Sequence, residues 1–174
     1  MPHIRHIRPC LWFDNQAEEA ANYYVSIFEN SKITQVARYS DVGQEIHKRP
    51  AGSVMTVTFE LDGHKFIALN GGPLFKFSEA ISLAVGCDTQ SEIDYFWEKL
   101  SAGGDPKAQQ CGWLKDKYGL SWQIVPTRLM ELLGDPDREK SQRVMQAMLQ
   151  MKKIDVARLE QAYEGGSVEA PSRR

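Results

Sequence analysis

The chain is poor in the residues on which metal, disulfide and membrane proteins are built. Of its 174 residues only three are cysteine, Cys10, Cys87 and Cys111, an odd number with no CxxC spacing. That excludes a disulfide framework and a zinc ribbon, and it reads as reduced thiols in a cytoplasm. No apolar run approaches the roughly 20 residues that span a bilayer, and the opening MPHIRHIRP carries charge without the apolar stretch of a secretion signal. Charge of one sign is also lacking. A formal net charge of -2 and a pI near 6.1 supply no basic field for a nucleic-acid backbone, and the basic residues are scattered among acids. GxSxG, Walker A and HExxH patterns are absent, which removes the familiar routes to hydrolase, nucleotide and zinc-protease chemistry.

What is present describes an α+β protein. The length suits one domain spanning 1–164, with a first module over 5–72, a second over 78–126, C-terminal helices over 127–163 and a disordered tail over 165–174. Ile7 to Phe13 is apolar enough for a buried strand, and Asp14-Asn15 can cap a helix from Asn15 to Glu29. Within that helix Ala17, Ala20, Ala21, Tyr24, Val25 and Phe28 recur at three- and four-residue intervals, which predicts one face packed on a sheet. Ile33 to Tyr39 alternates as a strand, and Ser40 to Ser53 reads as a long loop. Val54 to Leu61 and Lys65 to Asn70 flank Asp62-Gly63, a hairpin signal because both turn residues tolerate positive φ.

After Gly71-Gly72-Pro73 the order repeats in pattern and hardly in identity. Ala80 to Cys87 is a strand. Gln90 to Ala102 is an amphipathic helix capped by Asp88 or Thr89 and ended by Gly103-Gly104. A weakly marked strand near Pro106 to Gln110 precedes strands at Cys111 to Lys115 and Leu120 to Val125. The arrangement is two tandem βαβββ modules. Helices follow at Thr127 to Leu133, Asp137 to Lys152 and Asp155 to Tyr163, and Met145, Met148 and Met151 form a packing stripe along the second of these.

The most informative stretch is CGWLKDKYGLSWQIVP, from Cys111 to Pro126, which reads as two strands around a tight turn that Asp116 fixes by local hydrogen bonds. It closes on Gln123, an amide between apolar neighbours where a carboxylate would suggest a metal ligand.

With LWFDNQAEEAANYYVSIFENSKI, MTVTFELDGHKFIALNGGP, AISLAVGCDTQSEIDYFWEKL and AMLQMKKIDVARLEQAY, this stretch resembles the PhnB-like branch of the vicinal oxygen chelate superfamily. Proteins of that branch commonly carry the name 3-demethylubiquinone-9 3-methyltransferase domain, and the resemblance runs from about Ile7 to Tyr163. It implies two modules whose sheets curl around a cleft, with helices outside, and a homodimer for which the Met-bearing C-terminal helices are a plausible interface.

In metal-dependent relatives a ligand comes from the first and last strands of each module. Here the four corresponding positions are Ile7, Asn70, Ser82 and Gln123. None is a good ligand, and His6 beside Ile7 would point to the opposite face, so no metal and no cofactor is expected. The cleft-facing set is Leu11, Phe13, Asn70, Ser82, Ala84, Ser121 and Gln123. It describes either an apolar pocket with neutral hydrogen-bonding groups or a filled core.

Phe13, Asn70, Ser82, Trp113 and Gln123 are the candidate ligand-binding residues. Trp12 and Trp113 can stack on a flat ligand or serve as core, and Phe75 and Phe77 can cover the cleft or staple the modules. His47, Lys48 and Arg49 can meet an anion or stay solvated, whereas His64 in the hairpin reads as exposed and idle. The methyltransferase name implies S-adenosylmethionine, yet Gly71-Gly72-Pro73 reads as a linker and not as a phosphate-binding glycine loop. The expected function is metal-independent binding or conversion of a small apolar or aromatic metabolite, with neither nucleic acid nor membrane as partner; the alternatives are a metal- or cosubstrate-dependent enzyme of glyoxalase-like, dioxygenase-like or quinone-methylating chemistry, and a protein that sequesters a drug or toxin.

Overall fold

The computed structural model describes residues 7–166, which form two compact units, one ending at Lys76 and the other beginning at Phe77. His6 and the tail beyond Gly166 lie outside the described residues. Among the described residues no helix is long and apolar enough to cross a membrane.

The first unit runs β1 (Cys10–Phe13), α1 (Ala17–Ile27), β2 (Lys32–Arg38), α2 (Gln44–His47), β3 (Val54–Leu61) and β4 (His64–Asn70). Its strands form one sheet in the order β1-β4-β3-β2, with β1 parallel to β4 and the other pairs antiparallel. This is the expected βαβββ module. Asp62 and Gly63 take φ of 45° and 76°, so Leu61 pairs directly with His64 across a two-residue turn. Helix α1 lies on the sheet through the alanines of its buried stripe, Ala17, Ala20 and Ala21, which let its backbone approach closely, and through Tyr24, whose ring lies 6.3 Å from that of Phe59.

The cap of α1 differs from expectation. Gln16 stands at the N-cap without a side-chain bond, and the Ala17 N–H is met instead by Asn70 Oδ1 at 2.8 Å. Asn70 also donates from Nδ2 to the Val54 carbonyl at 3.0 Å, while its own carbonyl accepts from the Tyr39 hydroxyl at 2.7 Å. A residue 53 positions away thus does the work of a local cap, because a buried N–H needs a partner wherever it can be found. The stretch from Ser40 to Ser53 is not all loop: α2 folds within it, between left-handed residues Gly43 and Lys48.

The second unit contains β5 (Ser82–Cys87), α3 (Gln90–Ser101), β6 (Trp113–Lys115), β7 (Ser121–Pro126), α4 (Thr127–Leu133), α5 (Arg138–Leu149) and α6 (Val156–Tyr163). Its sheet has the order β5-β7-β6, parallel between β5 and β7 and antiparallel between β6 and β7. Thr89 is the cap of α3, in a reciprocal capping box with Glu92.

The weak strand expected at Pro106 to Gln110 is instead a 3-10 turn over Pro106–Ala108 followed by one bridge from Gln110 to Trp113. Pro106 cannot donate to a ladder, and the Asp105 side chain accepts from the Lys107 N–H, so turn geometry prevails. The expected strand from Cys111 begins two residues late. Cys111 and Gly112 take φ of 51° and 83° and donate their N–H groups to the Met151 and Lys152 carbonyls at 2.8 and 2.7 Å.

The C-terminal helices enclose a core of Leu129, Leu132, Val144, Ala147, Met151, Ile154, Leu159 and Ala162. Met151 and, in part, Met148 join it, but Met145 remains 41% exposed, so the methionine stripe is only partly a packing face. Gln90 ties the start of α3 to this core, donating to the Ile154 carbonyl and accepting from the Val156 N–H at 2.9 Å.

Asp116 organises the turn between β6 and β7. It is 2% exposed; Oδ1 accepts from the N–H groups of Tyr118 and Leu120, and Oδ2 accepts from Trp122 Nε1 at 2.9 Å. Gly119, at φ of 84°, completes the turn.

Two substitutions test these anchors. Asn70→Ala strands the Ala17 N–H and the Val54 carbonyl, and should lower stability in urea unfolding by about 1–3 kcal/mol. Asp116→Asn turns an N–H group toward donors and should cost about 2–3 kcal/mol by the same measurement. A change within 0.5 kcal/mol in either variant would contradict the assigned role.

Candidate functional site

Each sheet has one face covered by its own helix. In the first unit the covered face carries Leu11, Phe13, Val57, Phe59, Leu61, Phe66, Ala68 and Asn70, all buried, and alternation sends Cys10, Trp12, Thr56, Thr58, Ile67 and Leu69 to the other. The expectation that Leu11, Phe13 and Asn70 face a cleft is therefore off by one residue in this unit. Asn70 is occupied by Ala17 and Val54, and Phe13 is 3% exposed beneath α1.

On the opposite face Trp12 donates from Nε1 to the Gly72 carbonyl at 2.8 Å and packs edge-on against Phe75 at 4.9 Å. A side chain at Gly71 would collide with the Trp12 ring, so Gly71-Gly72 seats an indole and leaves no cradle for the phosphate or carboxylate of a nucleotide-like cofactor. Arg49 folds back to donate to the Asp14 carbonyl at 3.1 Å, and His47 stacks near Tyr39 at 4.6 Å, while Lys48 and His64 are exposed.

In the second unit Ser82 pairs with Ser121 and Ala84 with Gln123. Leu114, Trp122, Ile124 and Cys87 are buried on the helix side, where burial pushes the Cys87 thiol up to about 11. Ser82, Ala84, Trp113, Lys115, Ser121 and Gln123 alternate to the other face. There Gln123 donates from Nε2 to Ser82 Oγ at 2.7 Å and pairs in register with both Ala84 and Trp113. Three of the five candidate residues, Ser82, Trp113 and Gln123, are thus neighbours on one face.

Beside them opens a cavity of about 330 Å³ lined by Glu79, Ala108, Gln110, Cys111, Trp113, Leu114, Lys115 and Ser121. The volume is at the small end of ligand pockets. Ser121 is 1% exposed, and its hydroxyl is the one buried side-chain polar atom without a hydrogen-bond partner among the described residues. Lys115 forms an ion pair with Glu79, and the pair with the backbone N–H of Glu79 holds that carboxyl below its usual range. Lys115 could have been found from the sequence, since counting outward from the Asp116 turn sets it opposite Ser121. Glu79 could not, because nothing local marks a linker acid as the partner of a strand lysine.

The donor set does not fit a transition metal. At the four positions that the family resemblance implies for a metal, the Ser82 hydroxyl is engaged by the Gln123 amide N–H, the Asn70 oxygen is taken by a backbone N–H, Ile7 is apolar, and the Gln123 oxygen that stays free is a neutral amide. Among the described residues no three His, Cys, Asp or Glu side chains gather.

Comparison with known proteins supports the architecture. The family described as 3-demethylubiquinone-9 3-methyltransferase matches residues 5–125. The solved structure of the PhnB protein from Bacillus cereus is 36% identical, covers 71% of this chain and 100% of its own, and superposes with a TM-score of 0.60. A protein of Pseudomonas aeruginosa, at 17% identity over 69% of this chain and 96% of its own with a TM-score of 0.52, shares the fold. No curated protein matches the chain. With its family profile, its PhnB neighbour and its βαβββ sheet in agreement, the chain belongs to the PhnB-like 3-demethylubiquinone-9 3-methyltransferase family.

Proposed function

We propose that the protein binds a small, partly aromatic metabolite without a metal, on the face of the second unit's sheet that its helix leaves free. The observation that carries this reading is the buried Ser121 hydroxyl, unpartnered and at the wall of a cavity that Trp113 also lines. Leaving a buried hydroxyl unsatisfied costs about 1–3 kcal/mol, a cost that a ligand acceptor offsets and an apolar core would not. Trp113 supplies a flat apolar wall, and the Ser82–Gln123 pair beside it offers the free Gln123 carbonyl oxygen as a neutral acceptor.

Quinone methyl transfer, the activity named in the family's description, would need an S-adenosylmethionine site. The linker pair Gly71-Gly72 is closed over Trp12. The reading adopted is therefore binding, with any chemistry supplied by a cosubstrate. It places the protein in the cytoplasm as a homodimer, supported by the exposed apolar Met145 and Leu149 on α5. A monomer in sedimentation equilibrium would overturn the dimeric part.

The test is a thermal-shift screen against quinones, 2-oxoaldehyde adducts and aromatic antibiotics, with Ser121→Ala in parallel. A ligand at a hundred times its Kd should stabilise the wild type by about 2.7 kcal/mol, and the variant should lose much of that while its unliganded form is as stable as the parent or more so. No stabilisation by any compound, or equal stabilisation of both proteins, would contradict the reading. Protein purified without a histidine tag should contain no stoichiometric zinc, iron, nickel or manganese; one equivalent of any would overturn metal independence.

A further inference from the structure

The cavity has a feature that a neutral pocket does not need. Lys115 is the one cation among its lining residues, and it is the more buried member of its ion pair, with a side chain 23% exposed against 64% for Glu79. An ammonium this far buried is stabilised by an anion beside it. Glu79 meets that need from outside the sheet, on the segment between Lys76 and the start of β5, and it belongs to no helix or strand. Of the two partners the acid is the one free to leave.

We propose that the cavity takes a compact carboxylate with an aromatic body, and that Glu79 is the internal surrogate which this carboxylate displaces from Lys115. The inference rests on the binding site proposed above and names its ligand class. Three placements support it. Lys115 and Ser121 are register partners across β6 and β7, so their side chains lie on the same face, and both residues line the cavity. A carboxylate has two oxygens. One can accept from Lys115 and the other from the Ser121 O–H, which gives that hydroxyl the partner it lacks.

Trp113 precedes Lys115 by two residues on the same strand, hence on the same face and about 6–7 Å along it. That separation matches the distance from the carboxylate of a benzoate-like molecule to the far side of its ring. Lys115 holds the Glu79 carboxyl below its usual pKa range, in keeping with a position that favours a carboxylate. A neutral ligand would leave the Glu79 pair in place and fill only the part of the cavity next to Trp113. A cationic ligand would have to remain beside Lys115 unpaired.

Binding of benzoate, with benzamide as its neutral isostere, to the full chain by calorimetry and tryptophan fluorescence tests the proposal. Benzoate should bind and quench fluorescence, and benzamide should bind about tenfold more weakly. Glu79→Gln, which removes the competing acid, should tighten benzoate by about threefold. Lys115→Met should weaken it by about tenfold and leave benzamide unchanged. Glu79→Gln keeps the test open should Lys115→Met fold poorly.

Equal affinity for the two probes, no binding of benzoate, or no effect of Glu79→Gln on benzoate would overturn the carboxylate assignment. If benzamide or a neutral compound of the thermal screen still bound in a manner sensitive to Ser121→Ala, the site itself would survive that failure. If no compound bound at all, both readings would fall together.

Discussion

The carboxylate of Asp116 sits at the turn before β7 and accepts from two backbone N–H groups and one indole. Everything at the candidate site follows from that arrangement. By closing the turn over Tyr118 and Gly119 it sets which residue of β7 meets which residue of β6, and strand alternation then has no freedom left. Trp122 goes to the helix side, where its N–H returns to the same carboxylate. Ser121 and Gln123 go to the other side with Lys115 and Trp113. A one-residue slip of β7 would bury the Gln123 amide and expose Trp122, so one buried acid keeps these side chains on their faces.

That face lacks the side chains of a metal centre. A metal site requires several anionic or imidazole donors converging with free lone pairs. Here the donors are neutral and paired to each other, as Gln123 is to Ser82, or consumed in folding, as Asn70 is by α1. The one strong charge on the face is Lys115, with Glu79 against it. The electrostatics beside Lys115 therefore favour an anion.

Much of this was legible in the sequence, and unevenly so. The Asp62-Gly63 hairpin, the strand from Val54 to Leu61 and the placement of Ser82 and Gln123 follow from local rules, because a two-residue turn and period-two alternation leave one register. Asn70 was legible as a special polar residue at the end of a strand but not as the cap of a helix 53 positions earlier. The strand expected near Pro106 failed for a local reason that could have been weighed: a proline after a capping aspartate favours a turn. The late start of β6 had no local cause, since Cys111 and Gly112 are held by carbonyls of residues about forty positions later.

The sequence by itself determined the α+β class, the family and the poverty of metal-binding side chains, since these rest on residue identity and short-range periodicity. Which residues share a cavity was decided only by the tertiary structure. The Glu79–Lys115 pair and the partnerless Ser121 hydroxyl depend on where a linker falls against a strand far from it in the chain. No local pattern specifies that meeting, because the two residues lie 36 positions apart and come together only in the folded chain.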